Sequence, residues 1–152
     1  MTVTRLDIHY GVGLVSRFME KPQQSHLQAE KRILRYVNCN RDHVIFYTNS
    51  NAFKLVRYSD SDWAGDLDTR KSTSGYVFYL GNCVISWSSK KQQGVALSTA
   101  EAEYMALTNG AGHAVWVRRM LEELKQVQNS PTRIYCDNKS AIALSKNPVF
   151  HG

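Results

Sequence analysis

The chain has 152 residues, of which 43% are hydrophobic and 11% aromatic, as is typical of a single folded domain, so a disordered chain is excluded. No run of about 18 apolar residues is present to span a membrane, and the first residues lack the apolar core of a signal peptide, so we expect an intracellular protein, cytoplasmic or nuclear. Nineteen Lys and Arg against 13 Asp and Glu give a formal charge of +6, which favours a polyanionic partner such as nucleic acid.

The first fifty residues are predicted to be mainly helical. A short helix is expected over residues 11–19, ended by Lys21 and Pro22. Apolar residues at helical intervals predict an amphipathic helix over residues 25–37, where Ser25 and Gln28 have capping-box spacing. Residues 44–47 form a short apolar run that predicts a strand.

From Phe53 onward the pattern predicts a sheet followed by helices. Strands are expected over residues 54–58, 76–80 and 83–88, the last two forming a hairpin. A helix begins after the capping-box residue Ser98 and continues towards Gln126; we expect residues 109–112 to divide it, because glycine costs about 1 kcal/mol in a helix interior. A fourth strand over residues 133–136 and a helix over 138–145 complete a mixed α/β layer structure.

Three carboxylates occupy positions where α/β sheets bind ligands. Asp60 lies near the end of the first strand, Glu103 in the first turns of the long helix, and Asp137 just past the fourth strand. If the first and fourth strands pair in parallel, Asp60 and Asp137 lie side by side. Three adjacent carboxylates repel one another, and a divalent cation such as Mg²⁺ relieves the repulsion. The pattern predicts metal-assisted phosphoryl transfer, with two metals on the two sides of an in-line displacement.

Each of these carboxylates also has an ordinary structural explanation. Asp60 is also typical of a turn, since Asp and Ser alternate over residues 59–62. Glu103 is also typical of a solvated helix face, and Asp137 of the residue that caps the following helix. The spacing alone leaves both interpretations open.

Five motifs occur in a fixed order between Tyr58 and Ala141. They are Tyr58-Ser-Asp-Ser-Asp-Trp-Ala-Gly-Asp66, Arg70-Lys-Ser-Thr-Ser-Gly-Tyr-Val-Phe78, Trp87-Ser-Ser-Lys-Lys-Gln92, Leu97-Ser-Thr-Ala-Glu-Ala-Glu-Tyr-Met105 and Ile134-Tyr-Cys-Asp-Asn-Lys-Ser-Ala141.

In this order the motifs resemble the ribonuclease H domain of plant Ty1/copia retrotransposon polyproteins. Residues 4–47 are similar to the segment that connects reverse transcriptase and ribonuclease H in the same polyproteins. The resemblance implies two regions: residues 1–52 as a helical connecting segment and residues 53–152 as a ribonuclease H-like domain. It implies a mixed sheet, three antiparallel strands plus one parallel strand, flanked by helices.

The resemblance also implies roles for individual residues. Asp60, Glu103 and Asp137 match the carboxylates that bind the metal and carry catalysis, with Mg²⁺ or Mn²⁺ as the cofactor. Asp62 would point to the same side of a longer strand as Asp60, and it is the main alternative to that residue. Glu101 is better explained as the capping-box partner of Ser98.

In this family the fold continues beyond residues 147–152 into a basic, His-containing segment and a last helix with a fourth carboxylate. We therefore expect a ribonuclease H-like domain that lacks its last helix and has reduced activity. Five cations at strand ends and helix starts are expected to contact phosphates, although each is also typical of a solvated surface charge. They are Arg70, Lys71, Lys90, Lys91 and Lys139.

Two duplex substrates fit this resemblance: the RNA strand of an RNA/DNA hybrid, and double-stranded RNA, which has a similar A-form shape. Because Met1 falls in the connecting segment and no polymerase is present, a stand-alone host product is expected. Such a product would be similar to plant virus-resistance proteins that attack the RNA of a viral replication complex. The alternative is a catalytically impaired nucleic-acid-binding or interaction module. Cys39, Cys83 and Cys136 lack metal-site spacing and are predicted to be reduced, partly buried thiols.

Overall fold

The computed structural model describes residues 4–42, 44–47 and 53–147. The chain divides into two compact units, Met1–Phe46 and Tyr47–Gly152. In the described part of the chain, no helix combines the length and the apolar character needed to cross a membrane. Three cysteines, Cys39, Cys83 and Cys136, are present as free thiols.

The first unit contains two helices, α1 (Leu6–Ser16) and α2 (Gln24–Cys39). They pack closely at Gly11, where an added Cβ would lie 3.4 Å from the side chain of Ile33. Both helices differ in extent from the predicted ranges. The backbone N–H of Gln23, the residue before α2, donates to Nδ1 of His26 at 3.1 Å, so the prediction that Ser25 caps this helix is wrong.

The strand predicted over residues 44–47 is also wrong, since these residues form neither helix nor strand. Val44 and Phe46 are more than three-quarters exposed. A short apolar run becomes a strand only when a neighbouring strand satisfies its backbone groups. In the described residues of this unit, α1 and α2 provide no such neighbour.

The second unit is built on a four-stranded sheet with the order β3-β2-β1-β4. The strands β1, β2 and β3 are antiparallel neighbours, and β4 pairs with β1 in parallel. The mixed α/β class and the parallel pairing are therefore confirmed. The elements are β1 (Leu55–Ser61), β2 (Thr73–Leu80), β3 (Cys83–Lys91), α3 (Thr99–Glu123), β4 (Arg133–Tyr135) and α4 (Lys139–Lys146).

The strand β1 continues three residues beyond its predicted end. Residues 59–61 have the composition of a turn, but they pair with residues 74–76 of β2. Pairing with β2 outweighs the local composition, because each residue added to the strand forms backbone hydrogen bonds that a turn would leave to water. This extension places Asp60 inside a strand.

The helix α3 is a single helix of 25 residues, so the predicted break at residues 109–112 is wrong. Gly110 instead accommodates Arg57 of β1, whose side chain is fully buried against α3. Its guanidinium donates to the carbonyl oxygens of Ala106 at 2.8 Å and Leu107 at 3.1 Å. An added Cβ at Gly110 would lie 1.7 Å from Cζ of Arg57. Glycine at this position makes room for the guanidinium and does not end the helix.

The hydrophobic core lies next to this buried arginine, between α3 and the sheet. Five buried side chains form it, and Tyr76, Leu80 and Ile85 pack against its margin. The five are Leu55, Phe78, Ala114, Val117 and Leu121. This packing holds α3 against β1 and β2, and so fixes where the residues at the start of α3 lie relative to the end of β1.

Candidate active site at the carboxyl ends of β1 and β4

Asp60 and Asp137 lie side by side where the two parallel strands end. The last residue pair of these strands is Tyr58 with Tyr135, and each aspartate lies two residues further along its own strand direction. Both aspartates line one pocket of about 280 Å³, together with Ser59. Since Asp60 belongs to β1, its interpretation as a turn residue is wrong.

Glu103 reaches the same place from α3. Its side chain is only 5% exposed, so its interpretation as a solvated helix-face residue is wrong. Its Oε1 accepts the backbone N–H of Ser61 at 2.9 Å. Ser61 is the residue that follows Asp60 in β1. One hydrogen bond therefore ties the carboxylate of Glu103 to the end of β1.

The electrostatic environment of Glu103 is unfavourable for its charge. Burial raises the pKa of this carboxyl group, and the negative charges of Asp60 and Asp137 raise it further. The N–H of Ser61 acts in the opposite direction and lowers the pKa. The net direction is upward, so the three carboxylates are close enough for their charges to oppose one another.

Asp60, Glu103 and Asp137 form an acidic cluster. The thiol of Cys136 lies beside Glu103 in this cluster, a position that the sequence pattern did not predict. Its Sγ lies 3.6 Å from Oε2 of Glu103. Single ligand atoms of Glu103, Cys136 and Asp137 all lie within 4.8 Å of one another. Burial raises the pKa of the Cys136 thiol, and the charge of Glu103 raises it further. The available signal was its position, since it directly precedes Asp137 at the end of β4.

Asp137 does not cap the helix that follows it. That role belongs to Asn138, whose Oδ1 accepts the backbone N–H of Ala141 at 3.0 Å. The capping interpretation of Asp137 is therefore wrong.

Two neighbouring acids have structural partners. The carboxylate of Asp62 accepts the backbone N–H of Thr73, and so links the end of β1 to the start of β2. Glu101 accepts the backbone N–H of Leu97 at 2.7 Å, and its own N–H donates to the Ser98 hydroxyl at 3.1 Å. Both carboxylates stabilise local backbone, whereas Glu103 lies among other acids.

The five cations predicted to contact phosphates have different environments. Lys91 forms an ion pair with Asp66, which holds the pKa of that carboxyl group well below its usual range. Asp66 also accepts the N–H of Thr69 at 2.8 Å and, through its backbone oxygen, the N–H of Arg70 at 2.8 Å. The loop that carries Arg70 and Lys71 is thus organised by Asp66. Lys90 lies exposed in β3, and Lys139 begins α4.

A four-stranded mixed sheet of three antiparallel strands and one parallel strand, flanked by helices, is a ribonuclease H-like fold. Comparison with known proteins finds relatives among the polyproteins of plant transposons. The chain is 49% identical over 151 residues to the retrovirus-related Pol polyprotein from transposon RE1 of Arabidopsis thaliana. It is 46% identical over 151 residues to the polyprotein from transposon TNT 1-94 of Nicotiana tabacum. The chain belongs to the family of Ty1/copia-type retrovirus-related Pol polyproteins.

These matches cover 99% of this chain but only 10% and 11% of the two polyproteins, so the chain spans about a tenth of the length of these relatives. A shorter relative is the secreted RxLR effector protein 161 of Plasmopara viticola, 49% identical over 117 residues, which are 77% of this chain and 82% of that protein. No family model matches the chain, and no solved structure matches it significantly.

Proposed function

We propose that the second unit is a metal-dependent endoribonuclease that cleaves the RNA strand of an RNA/DNA hybrid. The observation that carries this proposal is the convergence of Asp60, Glu103 and Asp137 at the ends of two parallel strands. Membership of the Pol polyprotein family and the ribonuclease H-like sheet support it. Residues 1–46, with their two helices, correspond in this proposal to the connecting segment.

The donor chemistry of the cluster fits a divalent cation. Oxygen atoms of carboxylates are the ligands that Mg²⁺ and Mn²⁺ prefer. Glu103 is only 5% exposed. Among the described residues, the hydrogen-bond partner of its Oε2 is the thiol of Cys136. Asp60, Glu103 and Asp137 would hold the cation. When bound, it would activate a water molecule and stabilise the leaving oxygen of the cleaved phosphodiester.

The protein itself contributes position and rigidity. Asp60 is held in the β1 ladder and Glu103 by the Ser61 N–H, and Asp137 lies in the short connection between β4 and α4. A site on strands and helices that are packed on a core keeps its geometry more accurately than one on loops. The cluster is thereby preorganised, and its mutual repulsion favours binding of a cation.

The proposed phosphate contacts lie beside the cluster. Ser61, Ser74 and Lys90 form one row across β1, β2 and β3, so Lys90 lies two strand spacings, roughly 10 Å, from the end of β1. Lys139 lies two residues beyond Asp137. We propose that these cations, with Arg70 and Lys71, bind the backbone phosphates of the duplex. Contacts of this kind give affinity that depends on salt and little on sequence.

The test is cleavage of labelled duplexes in Mg²⁺ and in Mn²⁺. The full chain would be incubated with hybrid, double-stranded RNA, single-stranded RNA and double-stranded DNA. We expect the RNA strand of the hybrid to be cut, and the Asp60→Asn, Glu103→Gln and Asp137→Asn variants to lose at least about 100-fold of this activity. Glu101→Gln is the matched control, since it makes the same chemical change two residues away on α3 and leaves the cluster intact.

The outcomes separate the alternatives. Cutting of double-stranded RNA with the hybrid intact would replace the proposed substrate. If the wild type and the three variants bind duplex alike and none of them cuts in either cation, the enzyme hypothesis is wrong and a binding module remains. Equal loss in Glu101→Gln would show that the effect is not specific to the cluster.

A further inference from the structure

The cluster contains a sulfur atom that Mg²⁺ chemistry does not require. The thiol of Cys136 lies among the donors of Glu103 and Asp137, with one ligand atom of each residue within 4.8 Å of the others. Cys39 is exposed and Cys83 is buried, and neither belongs to this group. A carboxylate site for Mg²⁺ alone would gain nothing from sulfur, because sulfur is a poor ligand for a hard cation.

The distance between one pair of donors, the sulfur of Cys136 and an oxygen of Glu103, fits a different kind of cation. A tetrahedral zinc site has bonds of about 2.3 Å to sulfur and about 2.1 Å to oxygen, which places the two ligand atoms roughly 3.6 Å apart. The distance from Sγ of Cys136 to Oε2 of Glu103 is 3.6 Å. The other oxygen of Glu103 is occupied by the Ser61 N–H, so the oxygen that faces the thiol is the one available to a metal.

We propose that Cys136 is a direct ligand for thiophilic divalent cations, and that the cluster of Glu103, Cys136 and Asp137 binds Zn²⁺ or Cd²⁺ through sulfur and oxygen. This inference rests on the proposed function for the location of the cation, and it adds a determinant of metal selectivity. Coordination replaces the S–H proton, which passes to the buffer. A thiophilic cation held in this way would compete with Mg²⁺ for Glu103 and Asp137 and would inhibit cleavage.

The test is titration of the full chain with cadmium chloride, followed by the ultraviolet sulfur-to-cadmium charge-transfer absorption. This readout does not depend on enzymatic activity. We expect one saturable cadmium per chain in the wild type and in Cys39→Ser, which removes the exposed thiol. In Cys136→Ser the absorption should disappear, and the ratio of Cd²⁺ to Mg²⁺ affinity should fall by about tenfold or more.

A second variant keeps the sulfur and removes an oxygen ligand. Glu103→Gln should retain Cys136 and still weaken cadmium binding about tenfold or more, which separates a shared site from a reactive lone thiol. Circular dichroism would confirm that both variants fold. Cadmium binding that is unchanged in Cys136→Ser or in Glu103→Gln would overturn the inference. If hybrid cleavage fails while cadmium still binds through Cys136, the proposed function is wrong and the sulfur ligand stands.

Discussion

Two buried charged side chains, Arg57 and Glu103, lie at the interface between β1 and α3, and their surroundings differ. Arg57 extends from β1 and donates to carbonyl oxygens of α3. Glu103 extends from α3 and accepts a backbone N–H of β1. The difference lies in their neighbours: Arg57 is enclosed by helix carbonyls and aromatic rings, whereas Glu103 faces two further carboxylates.

The two environments suit different roles: Arg57 stabilises the fold, and Glu103 is the residue that we propose binds a cation. Arg57 contacts fixed dipoles and the rings of Tyr76 and Phe78, at 5.2 and 5.9 Å from its Cζ to the ring centroids. No ion pair with Arg57 occurs among the residues that the structure describes. Its two terminal nitrogens have oxygen partners, and its Nε is buried without one among the described residues. The environment of Glu103 has an excess of negative charge, which a cation would remove.

The largest expected effect concerns the closed environment of Arg57. Gly110→Ala should destabilise the protein by roughly 3 kcal/mol, because the new Cβ displaces the guanidinium from its carbonyl partners. Gly112→Ala is the matched control, since nothing lies within 4 Å of a Cβ there. It should stabilise the helix by about 0.5–1 kcal/mol. Urea denaturation would measure both changes.

A double-mutant cycle tests the cause of this effect. In an Arg57→Met background, Gly110→Ala should lose most of its cost, because the guanidinium that it displaces is gone. Equal destabilisation by Gly110→Ala in the two backgrounds would contradict the proposed role of Arg57.

The second expected effect concerns Glu103, which is buried beside the negative charges of Asp60 and Asp137. Because its pKa is raised in the folded state, the folded protein binds this proton more tightly than the unfolded chain does, and stability falls as pH rises through the folded pKa. In EDTA at pH 7, Glu103→Gln should therefore be more stable than the wild type by about 1 kcal/mol, a few degrees in Tm. The difference should shrink as pH falls below the ordinary glutamate pKa of about 4.3, because Glu103 then becomes protonated in the unfolded chain as well as in the folded protein.

Thermal unfolding of both proteins from pH 4 to 8 would measure this difference. A variant that is less stable than the wild type at pH 7, or a difference that does not change with pH, would contradict the repulsion inferred at the cluster. Glu101→Gln should not raise the stability at pH 7, because the carboxylate of Glu101 accepts a backbone N–H at the start of α3.

The smallest expected effect extends the comparison to surface cations. Lys91 is neutralised by Asp66, whereas no ion pair of Lys90 occurs among the described residues. Lys90→Ala should lower the slope of log affinity for hybrid against log salt by about 1. Lys91→Ala should change the slope much less. Fluorescence anisotropy from low to moderate salt would measure both, and equal slopes for the two variants would contradict a phosphate contact by Lys90.

The sequence was sufficient to predict the arrangement that depends on strand direction. The resemblance implied one parallel strand, and a parallel pairing of β1 with β4 brings Asp60 and Asp137 together where these strands end. The motif resemblance selected Glu103 over Glu101, and the structure gives Glu101 a backbone partner instead. These features are encoded locally or by chain order.

Other features depend on contacts between distant residues, and the sequence pattern does not contain them. The space beside Gly110 in α3 is occupied by Arg57, 53 positions earlier in the chain. The strand predicted over residues 44–47 failed for the converse reason, since an apolar run needs a partner strand. The position of Cys136 beside Glu103 became visible only when α3 was packed against β4.

We propose that the buried carboxylate of Glu103, unlike the buried guanidinium of Arg57, belongs to a site that binds a metal. Isothermal titration of the full chain with Mn²⁺ tests it most directly. We expect binding of Mn²⁺ by the wild type and by Glu101→Gln, and at least about tenfold weaker binding by Glu103→Gln and Asp137→Asn. Mn²⁺ affinities that are equal in the wild type and in the Glu103→Gln and Asp137→Asn variants would contradict it.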